Sequence, residues 1–314
     1  MQVKSRSIQD PKEFGRVAVV MGGLSAERKI SMNSGQAVLE ALRNQGVDAI
    51  AVDTQEGFST LFENSFDRVF NMIHGRGGED GTIQGFLECL GLPYTGSDIL
   101  ASALSMDKIK TKLCWQSYQL PTPKWYLLFE EANVDECLEQ LGMPVIIKPS
   151  LEGSSIGMSK ATTKAELQFG WDEASQYNSP VYAEQWVTGK EYTVAILNDA
   201  ALPVIRLETP HQFYDYAAKY EANTTQYHFP CGLTEKEEKD IQRLALKACH
   251  VIGVRGWGRV DVFIDQQQQA QLIEVNTVPG MTDHSLVPMA ANAAGINFEE
   301  LVWRILETSY ERSI

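Results

Sequence analysis

The chain has 314 residues, of which 44% are hydrophobic and 22% are charged, so it can bury a large core and form two or three domains. Its net charge of −14 argues against nucleic acid as the main partner, although a local group of cations could still hold a small phosphate ligand. Five dispersed cysteines, an amino terminus without the apolar core of a signal peptide and the lack of 18 consecutive apolar residues predict a reduced, cytoplasmic protein with no membrane partner.

Strands and helices alternate in the first part of the chain. Helical stretches are expected from about Ser25 and over 83–90. Buried strands are expected at 16–21, 49–52 and 68–73. This alternation predicts an open parallel α/β sheet in a first domain, residues 1–98.

Two polar loops of this region are candidates for ligand contact. Ser25 is placed to cap the helix that follows, with Glu27 in its first turn, and helix capping alone would explain both residues. The glycine-rich loop 74–81, HGRGGEDG, follows a predicted parallel strand at the edge where α/β sheets bind ligands. His74 is therefore a candidate as well, although a lone histidine is more often structural.

The rest of the chain predicts two smaller α+β units, residues 99–189 and 190–314. One helix is expected over 99–113, and Pro121 and Pro123 lie beyond its end. Further helices are expected at 134–141, 164–177 and 234–252. Further strands are expected at 145–149, 181–187, 192–197, 201–207, 258–264 and 271–275.

A loop rich in glycine and serine, 148–157 (KPSLEGSSIG), follows a buried strand and can turn several backbone N–H groups toward one anion. It matches neither GxGxxG nor GxxxxGK[ST], so a dinucleotide fold and a Walker P-loop are both poorly supported. Lys148 supplies a cation suited to a transferring phosphoryl group. The alternative is an ordinary turn.

The predicted strands 258–264 and 271–275 form a hairpin with one polar face. Because side chains alternate between faces, Arg259 and Asp261 share a face of one strand, and Glu274 and Asn276 share a face of its partner. The opposite faces are assigned to Val260, Val262, Ile264, Ile273 and Val275. Oxygen donors without Cys or His suit Mg²⁺ better than Zn²⁺. The alternative is a polar sheet face with incidental charge pairs.

Two further segments lack regular periodicity. Residues 209–230 contain four tyrosines, and long irregular segments of this kind are usually lids or binding loops. After the hairpin, a Pro-Gly turn could present the Gly280 N–H to a developing oxyanion beside Arg259.

Taken in order, these segments resemble the D-alanine–D-alanine ligase family of the ATP-grasp superfamily. The motifs are GGLSAER, HGRGGEDGTIQG, MDKIKTK, KPSLEGSSIGM, YDYAAKY, GRVDVFID and EVNTVPGMTDHS, and the resemblance covers residues 16–294. It implies a three-domain ATP-grasp architecture of mixed α/β and α+β class, in which an N-terminal open parallel α/β domain precedes two antiparallel-sheet domains that clasp ATP.

The resemblance also implies roles for single residues on the nucleotide side. Lys108, Lys148 and Lys219 would contact ATP phosphates, and Glu152, Ser154 and Ser155 belong to the loop covering them. The adenosine-binding stretch corresponds to Glu184, Trp186, Val187 and Glu191. The ligands of two Mg²⁺ ions, for which Mn²⁺ can substitute, correspond to Asp261, Glu274 and Asn276.

On the amino-acid side, Glu27 would face the ammonium of the first D-alanine, and Glu27, Ser154 and Tyr220 would form a hydrogen-bonded set that orients the site. Arg259 and the Gly280 amide resemble the oxyanion hole. The other residues assigned to substrate are His74, Ser285 and Leu286, and Lys219 with Tyr220 would form the tip of the ω-loop lid.

The implied reaction uses ATP to convert one D-alanine to D-alanyl phosphate, which a second D-alanine attacks to give the dipeptide of peptidoglycan precursors. A homodimer through the first domain is implied too. Two alternatives remain. One is another ATP-grasp ligase, of which a D-alanine–D-lactate ligase is the nearest case and against which Tyr220 and Lys219 count. The other is a nucleotide-binding regulatory protein that has lost catalysis.

Overall fold

The computed structural model describes residues 7–63, 65–129, 134–209, 225–282 and 284–311. The helices in this part of the chain are α1 (Arg28–Asn44), α2 (Ser59–Glu63), α3 (Thr82–Leu90), α4 (Ile99–Met106), α5 (Lys108–Ser117), α6 (Val134–Leu141), α7 (Lys164–Ser175), α8 (Glu235–Ile252), α9 (Leu286–Ala293) and α10 (Phe298–Glu307).

The strands of the same residues form three sheets. Sheet A contains β1 (Arg16–Met21), β2 (Asp48–Asp53) and β3 (Arg68–Asn71). Sheet B contains β4 (Trp125–Leu128), β5 (Val145–Pro149), β6 (Ser159–Ala161) and β7 (Val181–Gln185). Sheet C contains β8 (Gly189–Leu197), β9 (Ala200–Ala201), β10 (Ile205–Glu208), β11 (Gln226–His228), β12 (Trp257–Asp265) and β13 (Ala270–Asn276).

Sheet A is parallel, with β1 between β2 and β3. Its central strand reads Arg-Val-Ala-Val-Val-Met, and all but the first residue are buried, as expected for a strand covered on both faces. One face packs against α1 and, through the same apolar cluster, against α9 and α10 near the end of the chain. The carboxyl-terminal helices therefore close the core of the first sheet.

Sheets B and C are antiparallel, with strand orders β4-β7-β5-β6 and β11-β10-β8-β12-β13. Helices α6 and α7 bury one face of sheet B, while α8 and Trp115 of α5 bury one face of sheet C. The predicted fold class is confirmed: one parallel sheet is followed by two antiparallel sheets. The boundaries at 98/99 and 189/190 stay predictions.

The helix predicted over 99–113 is in fact two helices, α4 and α5, and the prediction of one was wrong. Asp107 between them is extended (φ −87°, ψ 99°), and its carboxylate accepts hydrogen bonds from the N–H groups of Ile109 and Lys110. A second cap, which apolar periodicity does not reveal, starts the new helix. Lys108 thus becomes a first-turn residue, and its N–H donates to the Ser150 carbonyl at 3.1 Å.

The predicted cap at Ser25 was wrong as well. Helix α1 begins at Arg28, with Glu27 at the N-cap position and no side-chain cap. The Ser25 hydroxyl donates instead to the His74 carbonyl at 2.7 Å and accepts the Glu27 N–H at 3.2 Å. The Ser25 hydroxyl therefore joins the start of this segment to the loop at His74 and does not cap the first turn of α1.

Two strand predictions in sheet C also need correction. The strand predicted at 201–207 is divided into β9 and β10, with Pro203 between them, since proline cannot donate to a ladder. The expectation of an irregular segment over 209–230 fails at its end, where β11 pairs with β10 in the register Arg206 to His228. Most of that segment, including Lys219 and Tyr220, lies outside the described residues.

A β-bulge alters the predicted alternation of β13. Asp261 pairs with Glu274, but Val262 pairs with Leu272, so Ile273 is the extra residue on its strand. Leu272 is 0% exposed in the apolar core of sheet C, whereas Ile273 is partly exposed on the polar face. The assignment of Ile273 to the apolar face was therefore wrong. Leu272 takes that place, with its N–H bonded to the Pro121 carbonyl at 2.9 Å.

Within the described residues, no helix combines the length and the apolar character that crossing a membrane requires.

The bulge predicts that substitutions of the adjacent residues Leu272 and Ile273 have different effects on stability. Leu272→Ala should lower the free energy of unfolding by about 2–5 kcal/mol, because it empties a core position, whereas Ile273→Ala should cost about 1 kcal/mol or less. Urea denaturation of both variants measures the difference. Regular alternation through β13 would give the reverse order.

Candidate active site

Nine of the predicted site residues line a cleft between sheets B and C. Sheet B contributes Lys148 from β5 and Glu184 from β7, and sheet C contributes Asp261 from β12 and Glu274 from β13. The other predicted residues on its wall are Lys108, Ser155, Trp186, Val187 and Glu191.

The hairpin β12–β13 brings its four predicted polar residues together. Arg259 lies opposite Asn276, and Asp261 lies opposite Glu274. The guanidinium of Arg259 donates to both oxygens of Asp261, at 2.9 and 2.7 Å. Thr193 of neighbouring β8 donates to Asp261 at 2.7 Å. Sheet pairing therefore fixes the position of Asp261 from both sides.

The donor set fits a hard cation. Asp261 and Glu274 are cross-strand neighbours, and Asn276 Nδ2 donates to Asp261 Oδ2 at 3.3 Å, which places the carboxamide beside the carboxylates. The described residues contain no group of three or more His, Cys, Asp or Glu suited to a metal. Two carboxylates and one amide leave coordination positions for phosphate oxygens and water, which is the usual arrangement for Mg²⁺.

Two lysines face the hairpin from the other wall of the cleft. Lys108 Nζ lies 3.5 Å from Glu274 Oε2 and donates to the Glu152 carbonyl at 2.7 Å. Lys148 Nζ donates to Glu184 Oε2 at 2.7 Å. Burial alone would raise the pKa of Glu184, but the charges of Lys112 and Lys148 outweigh burial and hold that pKa below its ordinary value. Glu184 is therefore a carboxylate.

The lining of the cleft also includes apolar and aromatic side chains, among them Trp186, Val187 and Ile273. Lys160 Nζ lies 4.0 Å from the centroid of the Trp186 ring, a cation–π contact that the sequence did not suggest. Glu191, in β8, lines the same cleft.

The loop after β5 connects the cleft to the first domain. Ser154 donates to Glu27 Oε1 in a short hydrogen bond, while the next residue, Ser155, lines the cleft. A Cβ on Gly153 would lie 2.6 Å from Glu27 Oε2, so a larger residue at this position would displace the Glu27 carboxylate. Glu152 does not line the cleft; its carboxylate pairs with Arg76 at 3.1 Å.

His74 lies behind this contact and is 4% exposed. Its Nε2 is 3.4 Å from Ser34 Oγ, and burial lowers the pKa of its imidazole. We find it supporting the loop rather than lining the cleft.

The sequence analysis missed Glu79 in the same loop. Glu79 accepts the N–H of Gly75 at 2.7 Å and that of Val278 at 3.2 Å, joining the glycine-rich loop to the Pro-Gly turn. Burial, and then the nearby charge of Glu27, raise the pKa of Glu79 to about 8. A carboxyl four residues after a turn glycine gives no sequence signal of this contact.

The Pro-Gly turn ends at the start of α9. Ser285 precedes the helix, and its hydroxyl accepts the Thr282 N–H at 2.9 Å. A Cβ on Gly280 would lie 2.9 Å from Ser285 Oγ, so the turn is close-packed. Leu286 is 6% exposed in the first turn of α9.

Comparison with known proteins gives the same family along the chain. The family model described as D-ala D-ala ligase C-terminus matches residues 114–307, and the one described as D-ala D-ala ligase N-terminus matches residues 53–97. A D-alanine--D-alanine ligase of Methylococcus capsulatus is 59% identical over 306 residues, which cover 97% of this chain and 99% of the relative.

Solved structures agree. A D-alanine--D-alanine ligase from Bacillus anthracis superposes with a TM-score of 0.86 at 33% identity, covering 94% of this chain and 97% of that chain. A second Bacillus anthracis structure, complexed with ATP, gives a TM-score of 0.83 at 30% identity, with the same coverage. Because the similarity is high and extends over almost its full length, the chain belongs to the D-alanine–D-alanine ligase family.

Proposed function

We propose that the chain joins two molecules of D-alanine to D-alanyl-D-alanine with ATP, releasing ADP and phosphate, and so supplies a precursor of peptidoglycan. The observation that carries the proposal is the polar face of β12–β13, whose carboxylates lie opposite Lys108 and Lys148 across the cleft. Family membership adds the substrate class.

ATP lies between sheets B and C in this proposal. Its base packs against Trp186 and Val187, with Glu184 and Glu191 beside the adenosine, and its phosphates lie near Lys108 and Lys148. Lysine ammonium groups offset the charge that develops during phosphoryl transfer. The similar Bacillus anthracis ligase complexed with ATP supports the choice of nucleotide. Lys219 would add a further cation from the lid.

Asp261, Glu274 and Asn276 are the residues that would hold the two Mg²⁺ ions, or Mn²⁺ in their place. The bound ions would neutralise phosphate oxygens and polarise the γ-phosphate. Arg259 donates two hydrogen bonds to the Asp261 carboxylate. These bonds fix the orientation of the carboxylate without a bound ion.

The first D-alanine binds with its ammonium toward Glu27, which Ser154 fixes by a hydrogen bond. Its carboxylate attacks the γ-phosphate, the bond to the leaving ADP oxygen breaks, and D-alanyl phosphate forms. Tyr220 would complete the hydrogen-bonded set from the lid, and water must stay out because it would hydrolyse the acyl phosphate.

The second D-alanine binds near Ser285 and Leu286, and its amine attacks the activated carbonyl. The developing oxyanion lies between Arg259 and the Gly280 N–H. The attack forms the C–N bond, and collapse of the oxyanion breaks the C–O bond to phosphate, which leaves with the electron pair while the attacking nitrogen loses one proton. His74 acts behind the site, where its contact with Ser34 supports the turn that holds Gly280.

Cytoplasmic location and a homodimer through the first domain complete the proposal. Both are proposed by analogy with the family. Sedimentation equilibrium at micromolar protein tests the dimer, and a single species with the mass of one chain would contradict it.

The decisive experiment follows phosphate release from Mg·ATP with D-alanine alone, with D-alanine plus D-lactate, and with L-alanine, and identifies the products by mass. We expect D-alanyl-D-alanine from D-alanine alone. Depsipeptide as the main product would indicate the lactate-using relatives, and ATP binding without turnover would indicate a regulatory protein.

Glu274→Gln should abolish turnover while the protein keeps its thermal midpoint, because the change removes one charge at the centre of the donor set. Steady-state phosphate release measures it, and Glu299→Gln, at an exposed site on α10, is the matched control. Near-normal activity of Glu274→Gln would contradict the metal assignment.

Substitutions of the neighbouring residues Ser154 and Ser155 should affect the binding of different substrates. Ser154→Ala should raise the KM for the first D-alanine about tenfold, since it removes a hydrogen bond to a charged group, while Ser155→Ala should act mainly on the KM for ATP. Equal effects of both variants on the KM values for D-alanine and ATP would contradict the assignment of Ser154 to the amino acid and Ser155 to the nucleotide.

A further inference from the structure

Lys112 is a buried lysine that the reaction above does not use. It is 0% exposed in α5, four residues after Lys108, and does not line the cleft. Burying an ammonium group is costly unless the charge is paired and its donors are satisfied. The burial of Lys112 therefore requires partners that offset this cost.

The contacts of Lys112 supply those partners. Its Nζ donates to Glu184 Oε1 at 2.5 Å, and the other oxygen of that carboxylate accepts Lys148 Nζ at 2.7 Å. Two ammonium groups therefore share one carboxylate. Of the two, only Lys148 lines the nucleotide cavity.

A third contact of Lys112 extends to sheet C. Its Nζ donates to Thr122 Oγ1 at 2.7 Å, and that hydroxyl donates to the Leu272 carbonyl at 2.9 Å. Leu272 immediately precedes Ile273 and Glu274 at the β-bulge. One buried ammonium thus connects both sheets of the cleft.

We propose that Lys112 is a positioning residue that keeps the charge of Lys148 available to the phosphates of ATP. If Lys148 and Glu184 were alone, they would form a neutral pair and the carboxylate would retain the Lys148 ammonium. With Lys112 on the second oxygen, the three groups carry a net positive charge, and that charge faces the cavity at Lys148. Burial lowers the pKa of Lys112 and the Glu184 charge opposes the fall.

This inference rests on the proposed use of ATP. The test below distinguishes failure of the inference from failure of the proposed function. Lys112→Met should raise the dissociation constant for ATP about tenfold to a hundredfold, the equivalent of one hydrogen bond to a charged group. It should raise the inhibition constant of adenosine, which has no phosphate but would lie beside Glu184, by only about twofold to threefold. The KM for D-alanine should change equally little.

Lys110→Met, at an exposed position of the same helix, is the control for loss of one charge. If Lys112→Met does not fold, as judged by its melting curve, Thr122→Val removes only one acceptor of Lys112 and should shift ATP affinity in the same direction by less. Equal losses for ATP and adenosine, or none for ATP in either variant, would overturn the inference. Absence of ATP-dependent turnover in the wild type would instead overturn the proposed function.

Discussion

The cleft concentrates charge in a partly buried space, and three carboxylates on its wall lie against cations. Asp261 is held by Arg259, Glu274 by Lys108, and Glu184 by two lysines. Unpaired ions in such a place would be neutralised or would destabilise the fold. The strand register, the break between α4 and α5 and the loop after β5 all serve to bring these opposite charges together.

Some of this arrangement was readable from the sequence. Alternation along β12 and β13 correctly placed Arg259, Asp261 and Glu274 on one face, because two strands joined by a short turn have little freedom in their register. The local alternation of side chains was sufficient to predict this face of the hairpin. A local pattern also sufficed for α8, where Thr234 and Glu237 form a capping box.

The failures have non-local causes. Ile273 was assigned to the wrong face because Pro121 and Thr122, far along the chain, bond to Leu272 and hold the bulge. Lys112 was overlooked since a lysine on a short helix resembles a surface residue until the surrounding sheets are known. Ser25 was misjudged because its hydroxyl prefers a carbonyl from another loop. Each error lies where a tertiary contact overrides a local preference.

The backbone at Ser154 and Ser155 has a consequence for the order of events. Both residues have left-handed φ values, 51° and 61°, so one turn sets the directions of the two side chains. Ser154 contacts Glu27, and Ser155 lines the cleft between sheets B and C. Whatever orders this turn at one end orders it at the other, and thermodynamic linkage makes the effect reciprocal. In the proposed function, where Glu27 faces the amino acid and the cleft holds the nucleotide, binding at either site would therefore favour binding at the other.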